Sequence, residues 1–228
     1  MAIPALRRQR GHWMAKASTN TAASEPPAPK KRKSADTGRQ LTAHDWVVAA
    51  QELLVNSSID GVRVDILAKR LAVTRGSFYW HFEDRQDLLD RLLKHWRDQA
   101  TENVIRQFES AKLPPEEIVN GLLKLPFRGR TAVQAWSVEL AIRAWARRDD
   151  SARRVVDDVD AQRLSYIAQC FSALGHSIAA ARVRAFALYG MELAEALLAN
   201  QGTSTQRDER ATFFLGKLLD VDPPSPAV

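Results

Sequence analysis

The sequence predicts an all-α protein, with an N-terminal three-helix helix-turn-helix domain joined to a second helical domain. Three observations predict it. From Leu41 to about residue 219, apolar residues recur at three- and four-residue spacing with no convincing strand between them. Pro114 and Pro115 separate two such stretches, as prolines do at element boundaries. Residues 64–82, VDILAKRLAVTRGSFYWHF, fit two short helices around a tight turn. The expected organisation is a disordered basic arm over 1–40, the helix-turn-helix domain over 41–86, a connecting helix over 87–113, a C-terminal domain over 114–220 and a disordered tail over 221–228.

Each element follows from its own signals. Residues 1–40 combine Pro26, Pro27 and Pro29 with the run Lys30-Lys31-Arg32-Lys33 and almost no apolar periodicity. Such an arm can reach phosphates or the minor groove, or simply raise non-specific affinity. The run also resembles a nuclear import signal, which nothing else in the chain supports, and Met14 is a second candidate start. Thr42 can cap a first helix whose Trp46, Ala49, Ala50, Leu53 and Leu54 share one face, ending near Ser57. A second helix spans Val64 to Leu71, and Thr74 caps a third over Arg75 to Phe82. Asp84 opens a fourth, with Leu88, Leu89, Leu92, Leu93 and Trp96 in a stripe, running toward Phe108. Further helices are expected near 116–124, 131–148, 151–174, 178–200 and 206–219.

Composition narrows the function classes. The 228 residues, 45% hydrophobic, suffice for one sizeable core or two small ones. One cysteine, Cys170, can form neither an internal disulfide nor a cysteine-based metal site. No run approaches the roughly 20 apolar residues of a membrane span, and no secretory signal opens the chain, so a cytoplasmic protein without membrane contact is expected. The net charge of +6 decides little, because nine basic residues against Glu25 and Asp36 place +7 within residues 1–40. The case for DNA therefore rests on the motif.

In 64–82, Ala68 is small where two helices must approach, and Leu67, Leu71, Val73 and Phe78 can fill the space between them. Arg75, Gly76 and Ser77 then project from the first turn of the third helix, where side chains reach base edges. Arginine can take guanine O6 and N7 in a bidentate pair, serine can serve several bases, and Gly76 permits close approach. Tyr79 and His81 have polar tips suited to phosphate oxygens. Three successive aromatics, Tyr79, Trp80 and His81, cannot all face inward on a helix of 3.6 residues per turn.

The pattern Thr74-x-x-x-Phe78-Tyr79-x-His81-Phe82, followed by Arg85 and the pair Leu88-Leu89, resembles the tetracycline-repressor (TetR) family across about residues 42–95. The resemblance implies that Arg75, Gly76 and Ser77 contact bases, and that Thr74, Tyr79, His81 and Arg85 hold phosphates. Phe78 and Phe82 become core residues and Trp80 a packing residue. Two positions depart from the pattern. Ala72 stands in the turn where the family often has glycine, and a left-handed alanine costs on the order of 1 kcal/mol. Arg63 stands where a phosphate-binding Thr or Ser is common; arginine can still grip a phosphate, although Asp65 beside it would repel one.

For the C-terminal half the resemblance implies a four-helix dimer bundle built from residues 151–174 and 178–200 of each subunit, and an operator of inverted half-sites. The remaining helices would enclose a cavity for an unidentified small molecule, with Trp96, Phe127, Trp136, Trp145, Tyr189 and Met191 as candidate walls; core packing is the competing reading for each. The expected function is a ligand-responsive homodimeric repressor. The alternatives are an activator, a regulator without ligand, or a helical protein-interaction module. An enzyme is not expected. The five histidines are scattered, no phosphate loop or nucleophile elbow occurs, and no cofactor or metal is implied. Asp149, Asp150, Asp157, Asp158 and Asp160 alternate with arginines in the pattern of salt-bridged solvated faces. Cys170, on a face with Ile167 and Phe171, is read as buried packing.

Overall fold

The computed structural model describes residues 41–220 apart from Arg128, and apart from the side chains of Phe127 and Arg130. The expectations for 1–40, for 221–228 and for the Phe127 side chain lie outside the described residues. Every described regular element is a helix.

Helix α1 (Ala43–Gly61) starts at a capping box: the Asp45 amide donates to Thr42 Oγ1, and the Thr42 amide donates to Asp45 Oδ2 at 2.7 Å. It breaks at Ser57 and Ser58, the latter at φ 63°, and adds one last turn to Gly61. Asn56 Nδ2 donates to the Glu52 carbonyl and Ser57 Oγ to the Leu53 carbonyl. Side chains thus compete with the backbone ladder where the break falls. Helix α2 (Val64–Arg70) leads into the turn, where Ala72 takes φ 56°. Helix α3 (Arg75–Phe78) is only four residues long, against the expected eight. Beyond Phe78 the chain tightens: Tyr79 N donates to Gly76 O and His81 N to Phe78 O. Phe78 and Phe82 then stack at 5.0 Å in the core, with Trp46 edge-on to Phe78 at 5.4 Å.

Helix α4 (Arg85–Arg97) begins with Asp84 accepting from the Asp87 amide, a side-chain cap at 2.9 Å. The expected continuous helix to about Phe108 is interrupted by a π-turn at Asp98–Glu102 before α5 (Asn103–Ala111) resumes. After left-handed Lys112 come α6 (Pro115–Leu123), a 3-10 turn at Leu125–Phe127, α7 (Arg130–Ala146), α8 (Asp150–Ala173), α9 (Ile178–Leu197) and α10 (Ser204–Leu219).

Packing does not follow the sequence break at Pro114. One core joins α1 to α4 with Ile142, Trp145 and Ala146 of α7 and with Ala152, Val156 and Val159 of α8. The other gathers α5, α6, α9, α10 and the later half of α8 around Phe171, Leu188 and Val119. Helix α8 therefore stands in both cores and α7 braces the first, which gives the N-terminal module a rigid base rather than a linker.

Candidate nucleic-acid interface and ligand cavity

The turn and α3 present one open surface. Thr74, Arg75, Gly76, Tyr79 and Trp80 are exposed, Ser77 and His81 are half-buried, and Phe78 and Phe82 are buried. Thr74 caps α3 without a side-chain bond to its amides; its hydroxyl instead pairs with Ser77 Oγ at 3.2 Å. A Cβ on Gly76 would meet only Thr74 Oγ1 at 3.7 Å, so nothing inside the molecule requires glycine there. The absent side chain is useful only to something approaching from outside.

One expectation changes, and two residues expected at phosphates have partners within the chain. Trp80, expected to pack, is 87% exposed and stands beside Tyr79 on the open surface. The tightened turn after Phe78 rotates both rings outward while Phe82 returns to the core. Arg85, expected to hold a phosphate, donates from Nε to the Val62 carbonyl and from Nη2 to the Ile59 carbonyl, each at 2.7 Å. It caps the end of α1, whose last carbonyls need a donor after the Ser57–Ser58 break. Arg63 has both Nε and Nη2 on the Asp65 carboxylate at 3.2 Å, so its charge is largely compensated where it stands.

The helical base contains a polar network and a cavity. Glu139 of α7 is buried, accepting from Arg143 Nε at 2.8 Å, Arg163 Nη2 at 3.0 Å and Trp96 Nε1 at 3.1 Å. Arg143 reaches Asp160 with both terminal nitrogens. The Tyr189 hydroxyl donates to Asp160 at 2.6 Å and accepts from Arg143 and Arg163, so its one proton and two lone pairs are all used. Arg163 also donates to Thr101 Oγ1 and to the Ala100 carbonyl, inside the π-turn. Burial drives the Asp160 carboxyl upward, but the hydrogen bonds from Arg143 and Tyr189 prevail and hold it below the usual carboxylate range. Burial likewise opposes the charges of Arg143 and Arg163, yet Asp160 and Glu139 beside them keep both more firmly protonated than a free arginine. Asp160 is thus not part of a solvated face, as its arginine-rich neighbourhood suggested.

Against this network lies a mainly apolar cavity of about 280 Å³, bounded by the π-turn and by α5, α6, α7, α8 and α9. Trp136 lines it. The other described candidates sit elsewhere: Trp145 packs in the core beneath α1, Trp96 is buried on Glu139, and Tyr189 and Met191 are buried behind the wall. These four side chains serve packing, and the cavity is walled by Trp136 and Tyr166 together with Val104, Ile105, Leu122, Leu125 and Ile167. Glu192 also lines it, 5% exposed, with Oε1 buried and unpartnered; burial pushes its carboxyl up to about 8. Among the described residues no group of three or more His, Cys, Asp or Glu side chains could hold a metal ion.

Residues 47–92 match the family model of bacterial regulatory proteins of the tetR family. That segment is similar to the DNA-binding region of tetR-family regulators. The fold of the chain agrees with that similarity. A TetR-family regulator from Rhodococcus sp. superposes with a TM-score of 0.63 at 18% identity, over 78% of this chain and 98% of that one. A transcriptional regulator from Saccharomonospora viridis in complex with choline gives 0.65 at 16% identity, covering 76% and 95%. The regulator FadR from Bacillus subtilis in complex with stearoyl-CoA gives 0.59 at 16% identity, covering 78% and 97%. The matched segment supports a DNA-binding regulator; the chain is all-helical where described, and no described helix is long and apolar enough to cross a membrane.

Sequence reasoning missed Glu139, Arg163 and Glu192. A signal existed for the last: Glu192 and Glu195, three residues apart, interrupt an apolar run of α9 between Met191 and Ala196, so both must lie on one face. Glu195 finds its partner in Arg210, at 2.5 Å.

Proposed function

We propose that the protein is a ligand-responsive homodimeric repressor that binds an inverted-repeat operator, with Arg75, Gly76 and Ser77 reading bases and Thr74, Tyr79, His81 and Trp80 gripping the flanking backbone. The observation that carries this reading is Arg163. It borders the cavity and bonds to Thr101 and Ala100 in the π-turn of the helix that leaves the DNA-binding module. A ligand that moves this arginine moves the turn, and with it the spacing of two recognition helices. Such a switch requires the ligand to prefer one spacing over the other.

Dimerisation is supported by α9, which leaves Val183 and Phe186 about 70% exposed and Leu197 likewise, one and three turns apart along the helix. Gly190 lies between them, and a Cβ placed there would have nothing within 4 Å, so a second helix can approach closely. A two-fold pairing of α8 and α9 with their copies buries this stripe. The structural neighbours hold ligands as different as choline and stearoyl-CoA, so the likeness alone does not choose a ligand for this cavity.

The test is selection of random duplex DNA by the purified protein and by Arg75→Ala, at two salt concentrations. An inverted repeat whose discrimination relaxes by about 1–3 kcal/mol at one base pair in the variant supports the reading. Salt-sensitive binding without sequence preference, unchanged in Arg75→Ala, overturns it.

A further inference from the structure

We propose that the cavity takes a small, mostly apolar molecule carrying one positive charge, and that Glu192 is its counter-ion. This rests on the reading of the cavity as the effector site. The argument is a charge inventory. Arg143 and Arg163 are balanced by Glu139 and Asp160 in direct contacts, and the Tyr189 hydroxyl fills the remaining positions between them. Glu192 stands outside this neutral set as one additional acid. The charged and titratable groups that act on it are Glu139 of α7, which repels its charge, and Arg163 of α8, whose donors are taken by Glu139, Thr101, Ala100 and Tyr189.

Tyr166 of α8 shares the wall, its hydroxyl buried beside the Cys170 thiol. A buried carboxyl with an open oxygen in an apolar wall stays neutral unless a cation arrives. An anionic ligand would meet Glu192 while finding both arginines engaged. A cation finds a carboxylate, and the rings of Trp136 and Tyr166 offer faces that attract positive charge. At about 280 Å³ the space suits a short chain rather than a long acyl group. Because burial keeps Glu192 protonated near neutrality, binding is an exchange: the cation enters, the carboxyl ionises, and one proton leaves to solvent.

The experiment is calorimetry on the full chain with hexyltrimethylammonium, 1-hexanol and hexanoate, at pH 7 in two buffers of different ionisation enthalpy. The cation should bind at least about ten-fold more tightly than either other probe and release close to one proton. Glu192→Gln should abolish both the preference and the proton release while still binding hexanol, which also establishes that the variant is folded. Hexanoate binding as well as the cation, or a preference that survives in Glu192→Gln, overturns the proposal. The underlying reading fails separately: if hexanol binds equally to a Val104→Trp variant that fills the cavity, the ligand sits elsewhere and both statements fall.

Discussion

Arg163 Nε donates to the buried hydroxyl of Thr101 over 2.8 Å, and this bond fastens α8 to the π-turn between α4 and α5. Thr101→Val keeps the shape and removes the acceptor, leaving a buried guanidinium nitrogen without its partner. The variant should lose about 1–3 kcal/mol in urea unfolding. It should also weaken the effect of any cavity ligand on DNA affinity. A loss under about 0.5 kcal/mol with coupling intact would mean that the bond transmits nothing.

Ala72 pays for the turn before α3 with a left-handed backbone at φ 56°. Ala72→Gly should raise stability by about 0.5–1 kcal/mol. Thermal melts of the two proteins check this, and an unchanged or lowered melting temperature would show that the turn is not strained.

Gly76→Ala and Trp80→Ala test the open surface without touching the core. Neither change meets an internal obstacle, so stability should stay within about 0.5 kcal/mol. Operator affinity should fall at least about ten-fold in each, measured by fluorescence anisotropy at fixed salt. Full affinity in both variants would remove this face from the interface.

Glu192 imposes a pH dependence on stability. Its carboxyl titrates at about 8 when folded and near 4.5 when unfolded, so between those values the folded chain holds a proton that the unfolded chain has released. The neutral carboxyl is therefore fully tolerated below pH 4.5, and stability declines as pH rises toward 8. Glu192→Gln should flatten this decline, gaining on the order of 4 kcal/mol relative to the parent at pH 9. Parallel pH profiles for the two proteins would refute the burial argument.

What the sequence revealed and concealed follows physical lines. Helix starts were legible because caps are local: Thr42, Asp84 and the positions near Asp149 and Ser177 each accept from an amide three residues on. The left-handed turn at Ala72 was legible through the family resemblance, which places glycine there. The shortening of α3 was not, since i to i−3 bonds leave the apolar pattern of Phe78 and Phe82 intact. The internal partners of Arg85 and Asp160 were not legible because they lie 17 to 26 residues away, beyond any local rule. The cavity walls were misassigned by choosing large rings, whereas space is left where medium aliphatic side chains fall short of one another.

The π-turn at Asp98–Glu102 inserts what amounts to one surplus residue into an otherwise continuous rod. Upstream, Leu88, Leu92 and Trp96 keep phase with the DNA-binding core; downstream, Val104 and Phe108 keep phase with the other core. The connecting helix therefore keeps two separate counts, and Ala100 and Thr101 sit where they are reset. Removing one residue from this stretch would let a regular helix form across it with both halves in their present phase, and would abolish the wide turn whose Ala100 carbonyl and Thr101 hydroxyl accept from Arg163. The surplus residue is thus what makes room for Arg163 to reach into the rod.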